Sequence, residues 1–330
     1  MQLSLAVKQP YSFAQTVGFL RRFPPCRGDY VITDDSITAA VSVGGIARAF
    51  TLRDGDPLTI DMPRHVDGAT QRALTARAAH LIGADDDVSV LYAAADGDPP
   101  FGALVAQLHG LHHVRFLTLE DIAVYCVLMQ RTPIRLASLY KRRFLDRFGI
   151  PIDVGGTTLR AMPELDQLVE LDASDIAAAI GHTRKATQIA DVVRGVAAIG
   201  EAFLRTAPYA MARDALLEVR GIGPFSAAAI LLRGLGRMDE LPAMVRFADE
   251  ARALYGGAYD PAAIARRYGA QIGYWAFYLK TGMARLADPT PRVADERGDP
   301  RPGPRARPGA ARPVAGRGGA VAVATRGVPV

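Results

Sequence analysis

The chain has 330 residues, 49% of them hydrophobic and 22% charged, a composition that suits a globular protein with room for two or three domains. No apolar run reaches the ~20 residues that a bilayer-spanning helix needs, and Lys8 and Gln9 interrupt the place where a secretory leader would carry its apolar core, so the sequence points to the cytoplasm. The formal charge of +5 is uneven, because eight arginines against four acids put +4 into residues 288–330 and leave +1 for the first 287.

The first hundred residues mix short β-favouring runs, Tyr30 to Thr33 and Ala39 to Val43, with turn clusters such as Asp54-Gly-Asp-Pro57 and one helical stretch over 69–82. They predict a small antiparallel sheet with flanking helices, an α+β domain over 1–105. From about Leu108 amphipathic helices alternate with short Gly or Pro breaks, which predicts a mostly helical domain of two subdomains over 106–287. Thr118-Leu-Glu-Asp121 opens one helix with a capping-box pattern, Pro133 begins the next, and Ala186, Ile189, Ala190, Val193 and Ala197 form an apolar stripe. Residues 288–330 are Pro, Gly, Arg and Ala with almost no large apolar side chain, a composition expected to stay disordered. Such a tail either binds nucleic acid nonspecifically or has no role. Cys26 and Cys126, the two cysteines, supply no disulfide framework and no paired ligands for zinc or an iron–sulfur cluster, and both read as buried thiols; no cofactor is expected.

Residues 211–219 and 225–235 each have helical periodicity, and between them lies Gly221-Ile222-Gly223-Pro224. Glycines there permit a backbone bend that leaves the amides of the second helix's first turn pointing outward, a nest for an anion and most naturally a phosphate. Pro224 suits the first helical turn, and Ser226 can satisfy one of its donors. A plain helical hairpin without a ligand fits the same four residues.

The surrounding residues resemble a family. Leu217-x-x-x-Gly221-Ile-Gly-Pro-x-Ser-Ala-x-x-Ile230-Leu-Leu-Arg-Gly234, followed by Leu241-Pro242, is similar to the hairpin and active-site loop of the helix–hairpin–helix DNA glycosylases, within them the bacterial 3-methyladenine DNA glycosylase II group. Gly110-Leu-His-His-Val-Arg-Phe116, Val127-Leu-Met-Gln130, Ile180-Gly-His-Thr-Arg-Lys185-Ala and Tyr274-Trp275-Ala-Phe-Tyr278-Leu resemble further segments of that family in the right order, as do Pro10-Tyr-Ser-Phe13 and Gly18-Phe-Leu20, so the likeness runs from residue 9 to 284.

The resemblance implies a monomeric enzyme at the nucleoid that binds double-stranded DNA, flips a damaged base into a cleft and cuts its N-glycosidic bond. It assigns phosphate binding to Gly221, Ile222, Gly223, Phe225 and Ser226, with Arg184 and Lys185 at a second helix start. It puts the wedge that fills the gap in the base stack at Gln130 and Arg131, although family members carry an apolar residue where Arg131 stands. The base pocket is expected at Tyr274, Trp275 and Tyr278, with Phe225, since π faces attract an electron-poor alkylated base. Core packing of the same rings is the competing reading. The family's catalytic aspartate follows the Pro of its loop, and here Ala243 and Met244 follow Pro242. Asp239, Glu240 and Asp249 are the nearby acids that a shifted backbone would have to use. The alternatives are excision without that charge, or binding without chemistry. No lysine lies between Gly221 and Leu232, so a Schiff-base lyase step is not expected, and two cysteines rule out a four-cysteine cluster. The resemblance leaves open a monovalent cation under the hairpin.

Overall fold

The structure, a computed structural model, describes residues 1–241 and 245–287. The tail expected to be disordered lies outside the described residues. Strands β1 (Gln2–Leu5), β2 (Tyr30–Ile32), β3 (Ser36–Val43), β4 (Ile46–Arg53) and β5 (Leu58–Asp61) form an antiparallel sheet in the order β1-β5-β4-β3-β2. Register is fixed by alternation: Ile37 faces Leu52 and Ala39 faces Phe50 across the central pair, all four buried. Helix α1 (Phe13–Arg22) runs between the first two strands, and α2 (Gly68–Ile82), α3 (Ser89–Ala95) and α4 (Pro99–Gln107) follow the sheet.

Helix α5 (Leu119–Met129) is the centre of the second half. Its N-cap Thr118 accepts a hydrogen bond from the Asp121 amide at 3.2 Å, as the capping pattern predicts, and every residue from Leu119 to Leu128 is buried. Helix α6 (Ile134–Phe148) starts after Pro133. Sequence reading expected only helices here, but a hairpin of β6 (Ile150–Val154) and β7 (Thr157–Ala161) intervenes. Gly155 and Gly156 make its turn, both at positive φ, which two-residue hairpin turns demand. Leu159 and Ala161 then pack on Ala40 and Ala47 of the sheet, so distant apolar surface stabilises a strand pair that has little of its own.

Helices α7 (Leu165–Val169), α8 (Ala173–Ile180), α9 (Thr183–Ile199), α10 (Glu201–Thr206) and α11 (Tyr209–Leu217) lead to α12 (Pro224–Ala229), which widens into a π-helical turn at Ile230–Gly234. Close approach explains the widening, because a Cβ on Gly234 would lie 2.6 Å from Ile122 of α5 and the Arg233 carbonyl accepts the Phe116 amide at 2.9 Å. The expected single helix over 225–235 is thus two unlike pieces. Helices α13 (Val245–Tyr255), α14 (Pro261–Tyr268) and α15 (Ile272–Ala287) complete the described chain.

Two large cores result. One joins the sheet and α2–α4 to Tyr268, Trp275 and Tyr278 near the C-terminal end of the described chain, and the other is built on α5, α9 and the hairpin helices. Cys26 and Cys126 are both buried in the second, and burial pushes both thiols up to about 12. Lys141 of α6 is 3% exposed and bridges Asp29 at 2.6 Å and Asp121 at 3.1 Å, while burial lifts the Asp29 carboxyl to about 6. Arg233 links the cores: its guanidinium sits 4.5 Å from the Phe23 ring centre and 5.6 Å from that of Phe277, and donates to His113 Nε2 at 3.1 Å.

Candidate nucleic-acid interface

The bend between α11 and α12 follows from local chemistry. The Val219 amide reaches back to Leu216 O and the Ile222 amide to Val219 O, which closes α11 and tucks Ile222 into the core at 7% exposure. Gly221 has φ +97°, and a Cβ there would stand 3.2 Å from Val192 of α9, so only glycine makes this turn against that helix without strain. Gly223 is the extended N-cap with no side chain above it, Pro224 occupies the first turn, and the first helical bond runs from the Ala227 amide to Gly223 O at 2.9 Å. No described residue accepts from the amides of Gly223, Phe225 and Ser226. Three donors are therefore left free at the positive end of a helix. The Ser226 side chain does not join them, being 3% exposed and turned toward Gln130 Nε2 at 3.5 Å. Phe225 is 37% exposed beside the bend.

The loop after α5 is fastened to this bend. Gln130 donates through Nε2 to Gly221 O at 2.7 Å and accepts from Gln188 Nε2 at 3.4 Å, so its side chain locks the loop to the hairpin and does not project outward as the wedge assignment required. Arg131 beside it is exposed and has φ +50°, the one non-glycine positive φ among the described residues. A side chain in that conformation costs energy that the surroundings must hold in place. Lys185, expected at a phosphate, is 5% exposed and donates to Val127 O at 2.8 Å and Gln130 O at 2.9 Å. It caps the carbonyl end of α5, where a cation complements the helix dipole. Arg184 remains exposed at the start of α9. Arg220, which sequence reading passed over, is 86% exposed with only a loose 3.7 Å approach to Asp191. Its place directly before the glycine bend was the available signal.

No family model matches the sequence. Among curated proteins, a probable bifunctional transcriptional activator/DNA repair enzyme AlkA from Mycobacterium tuberculosis is 26% identical over 255 residues, covering 74% of this chain and 48% of that protein. A DNA-3-methyladenine glycosylase from Bacillus subtilis is 26% identical over 153 residues, 46% of this chain and 50% of that protein. The chain thus spans about half the length of the curated relatives it matches. A solved 3-methyladenine DNA glycosylase from Archaeoglobus fulgidus shares the fold with a TM-score of 0.69 at 19% identity, over 87% of this chain and 99% of that one. The chain thus has the fold of a helix–hairpin–helix 3-methyladenine DNA glycosylase and is similar in sequence to proteins of that group.

Within this glycosylase fold the aromatic cluster takes a place that corrects the expected base pocket. Tyr274, Trp275 and Tyr278 are 2%, 1% and 0% exposed. Their polar atoms are satisfied internally: the Tyr274 hydroxyl donates to Asp86 and accepts the His113 amide, Trp275 Nε1 donates to the Tyr255 hydroxyl, and the Tyr278 hydroxyl donates to Leu111 O at 2.8 Å. Burial and the nearby Asp86 carboxylate hold the Tyr274 hydroxyl well above its ordinary pKa. These rings are core, and of the four pocket candidates only Phe225 reaches the surface beside the hairpin.

The glycosylase family's acid is not replaced by a buried neighbour. Asp239 accepts from Arg237 Nε at 3.2 Å, Glu240 from Arg213 at 2.8 Å and Asp249 from Arg252 at 3.3 Å, and all three acids are exposed. Ala243 and Met244 lie outside the described residues. Among the described residues no cluster of His, Cys, Asp and Glu is placed to hold a metal ion, and no helix is long and apolar enough to cross a membrane.

Proposed function

We propose that the chain is a monofunctional DNA glycosylase that binds duplex DNA as a monomer, extrudes an alkylated purine and hydrolyses its N-glycosidic bond. The observation that carries this is the hairpin bend, whose three amides without acceptors lie beside the α5–α6 loop that Gln130 tethers to it. One DNA phosphate satisfies those amides, as anions do at helix N-termini. Arg184, exposed at the start of α9, and Arg220, exposed directly before the bend, supply the non-directional attraction that brings DNA to it. Arg131 is then the residue presented to the stack beside the vacated site, held there by its strained backbone.

Alkylation at purine N3 or N7 leaves a cationic base, which departs as a neutral molecule and so needs less help than an ordinary base. Loss of one charge facing the developing sugar cation costs about 10²–10³ in rate, which cationic substrates survive better than neutral ones. Single-turnover release of 7-methylguanine and 3-methyladenine from alkylated duplex DNA tests the reading. Release of these without release of hypoxanthine is the expected result. Introducing the missing carboxylate by Met244→Asp or Ala243→Asp is expected to raise release by about tenfold or more.

A second reading, a lesion-binding protein without chemistry, draws on the three nearby acids being exposed and engaged with arginines. Tight binding to an abasic-site analogue with no base released at high protein concentration selects it.

A further inference from the structure

At the other end of α5 from the hairpin, about 15 Å away along the helix, a cavity of about 330 Å³ opens between β3, α2, the first turn of α5 and the segment after β7. Two side chains in its wall are buried and incompletely bonded. Ser42 is 6% exposed and Glu120 7% exposed, and neither Ser42 Oγ nor Glu120 Oε2 has a hydrogen-bond partner. Buried polar groups of this kind are normally paired, and a carboxylate oxygen without a donor is costly. The charged neighbours are already committed. Arg77 reaches both oxygens of Glu201, at 3.3 and 3.4 Å, and Glu164 accepts the amides of Gly44 and Gly45. Met162 and Leu165 add an aliphatic wall.

We propose that this cavity binds a small alkylammonium ion of the diamine or polyamine class, its ammonium group on Glu120 and Ser42 and its methylenes against Met162 and Leu165. Arg77 lies near Glu120 but is engaged by Glu201, so the carboxylate oxygen that no donor reaches asks for a further positive charge, the serine hydroxyl accepts a second N–H, and the aliphatic wall suits a carbon chain better than a hydrated ion. No group of metal-ligating residues stands among the described residues, so an organic cation fits the donor set better than a metal ion does. Burial also raises the Glu120 carboxyl above its usual range, which a bound ammonium would reverse. The bound amine joins β3 to α5 and does not touch the hairpin.

Calorimetric titration of the full chain with putrescine, with 1,4-butanediol as its uncharged counterpart, tests this. Saturable one-to-one binding of putrescine and none of the diol is expected. Glu120→Gln keeps the shape and is expected to weaken binding by about ten- to a hundredfold, and Ser42→Ala by about two- to tenfold, while both variants melt at or above the native temperature. Putrescine should raise the melting temperature of the native chain and not that of Glu120→Gln. Equal binding by native chain and both variants, equal binding of the diol, or displacement of putrescine by stoichiometric magnesium would each overturn the proposal.

Discussion

The glycine bend and the aromatic run of α15 are the two most conspicuous stretches of this sequence, and the fold treats them in opposite ways. At the bend, polar backbone is left without partners on the surface: the amides of Gly223, Phe225 and Ser226 have no acceptor within the described chain. In α15 the polar tips are matched inside, each hydroxyl or indole N–H finding a carbonyl, a carboxylate or another hydroxyl. Unsatisfied donors that stay exposed are available to a ligand; satisfied ones within a core hold the core together. An aromatic cluster therefore signals a base pocket only where the rings reach solvent, and of the four rings expected in the pocket Phe225 is the one that does.

The contrast breaks most visibly if Trp275 is truncated. Trp275→Ala removes one of the largest fully buried side chains and is expected to cost about 3–5 kcal/mol in chemical denaturation, while DNA affinity of the folded protein stays within about twofold. A selective loss of DNA affinity at native stability would return the ring to the pocket. Gly221→Val forces a β-branched residue into φ +97° against Val192, and should lower DNA affinity by about ten- to a hundredfold at a stability cost of about 1–3 kcal/mol. Gel-shift titration beside a thermal melt separates the two effects.

Lys185 and Arg184, adjacent in sequence, sharpen the comparison between interior and surface. Lys185→Met deprives the carbonyls of Val127 and Gln130 of their charged donor and should destabilise by about 1–3 kcal/mol with the salt slope of DNA binding unchanged. Arg184→Ala should do the reverse, leaving stability alone and lowering that slope by about one.

A pH-dependent effect confined to one window belongs to the buried Asp29, whose carboxyl is lifted from 3.8 to about 6 by burial. A raised carboxyl binds its proton more tightly in the folded state, so this group's contribution is largest below about pH 4 and declines as pH rises toward 6. Asp29→Asn should flatten the stability curve in that window, measured by urea midpoints at pH 4, 5 and 6.

Much of the fold was legible because the signals were local. Thr118 capping α5, Pro133 before α6 and the stripe from Ala186 to Val193 each rest on spacing within a turn or two of helix. The β6–β7 hairpin was equally readable, with Gly155-Gly156 between alternating residues, but it was masked by the helical segments on either side. The bend at Gly221 was legible too, since a positive φ and an open helix start are properties of the residues that make them.

The sequence by itself determined the α+β class, most of the helices and the location of the glycine bend, because periodicity, caps and turns depend on neighbours in the chain. Tertiary structure alone decided which polar groups were consumed. Lys185 was drawn to the end of α5, Gln130 to the Gly221 carbonyl and Tyr274 to Asp86, whereas Arg131 and Arg220 were left facing water. The physical reason is that a side chain's availability depends on whether a partner from elsewhere in the chain reaches it first, and such partners are 55 to 188 residues away in these cases.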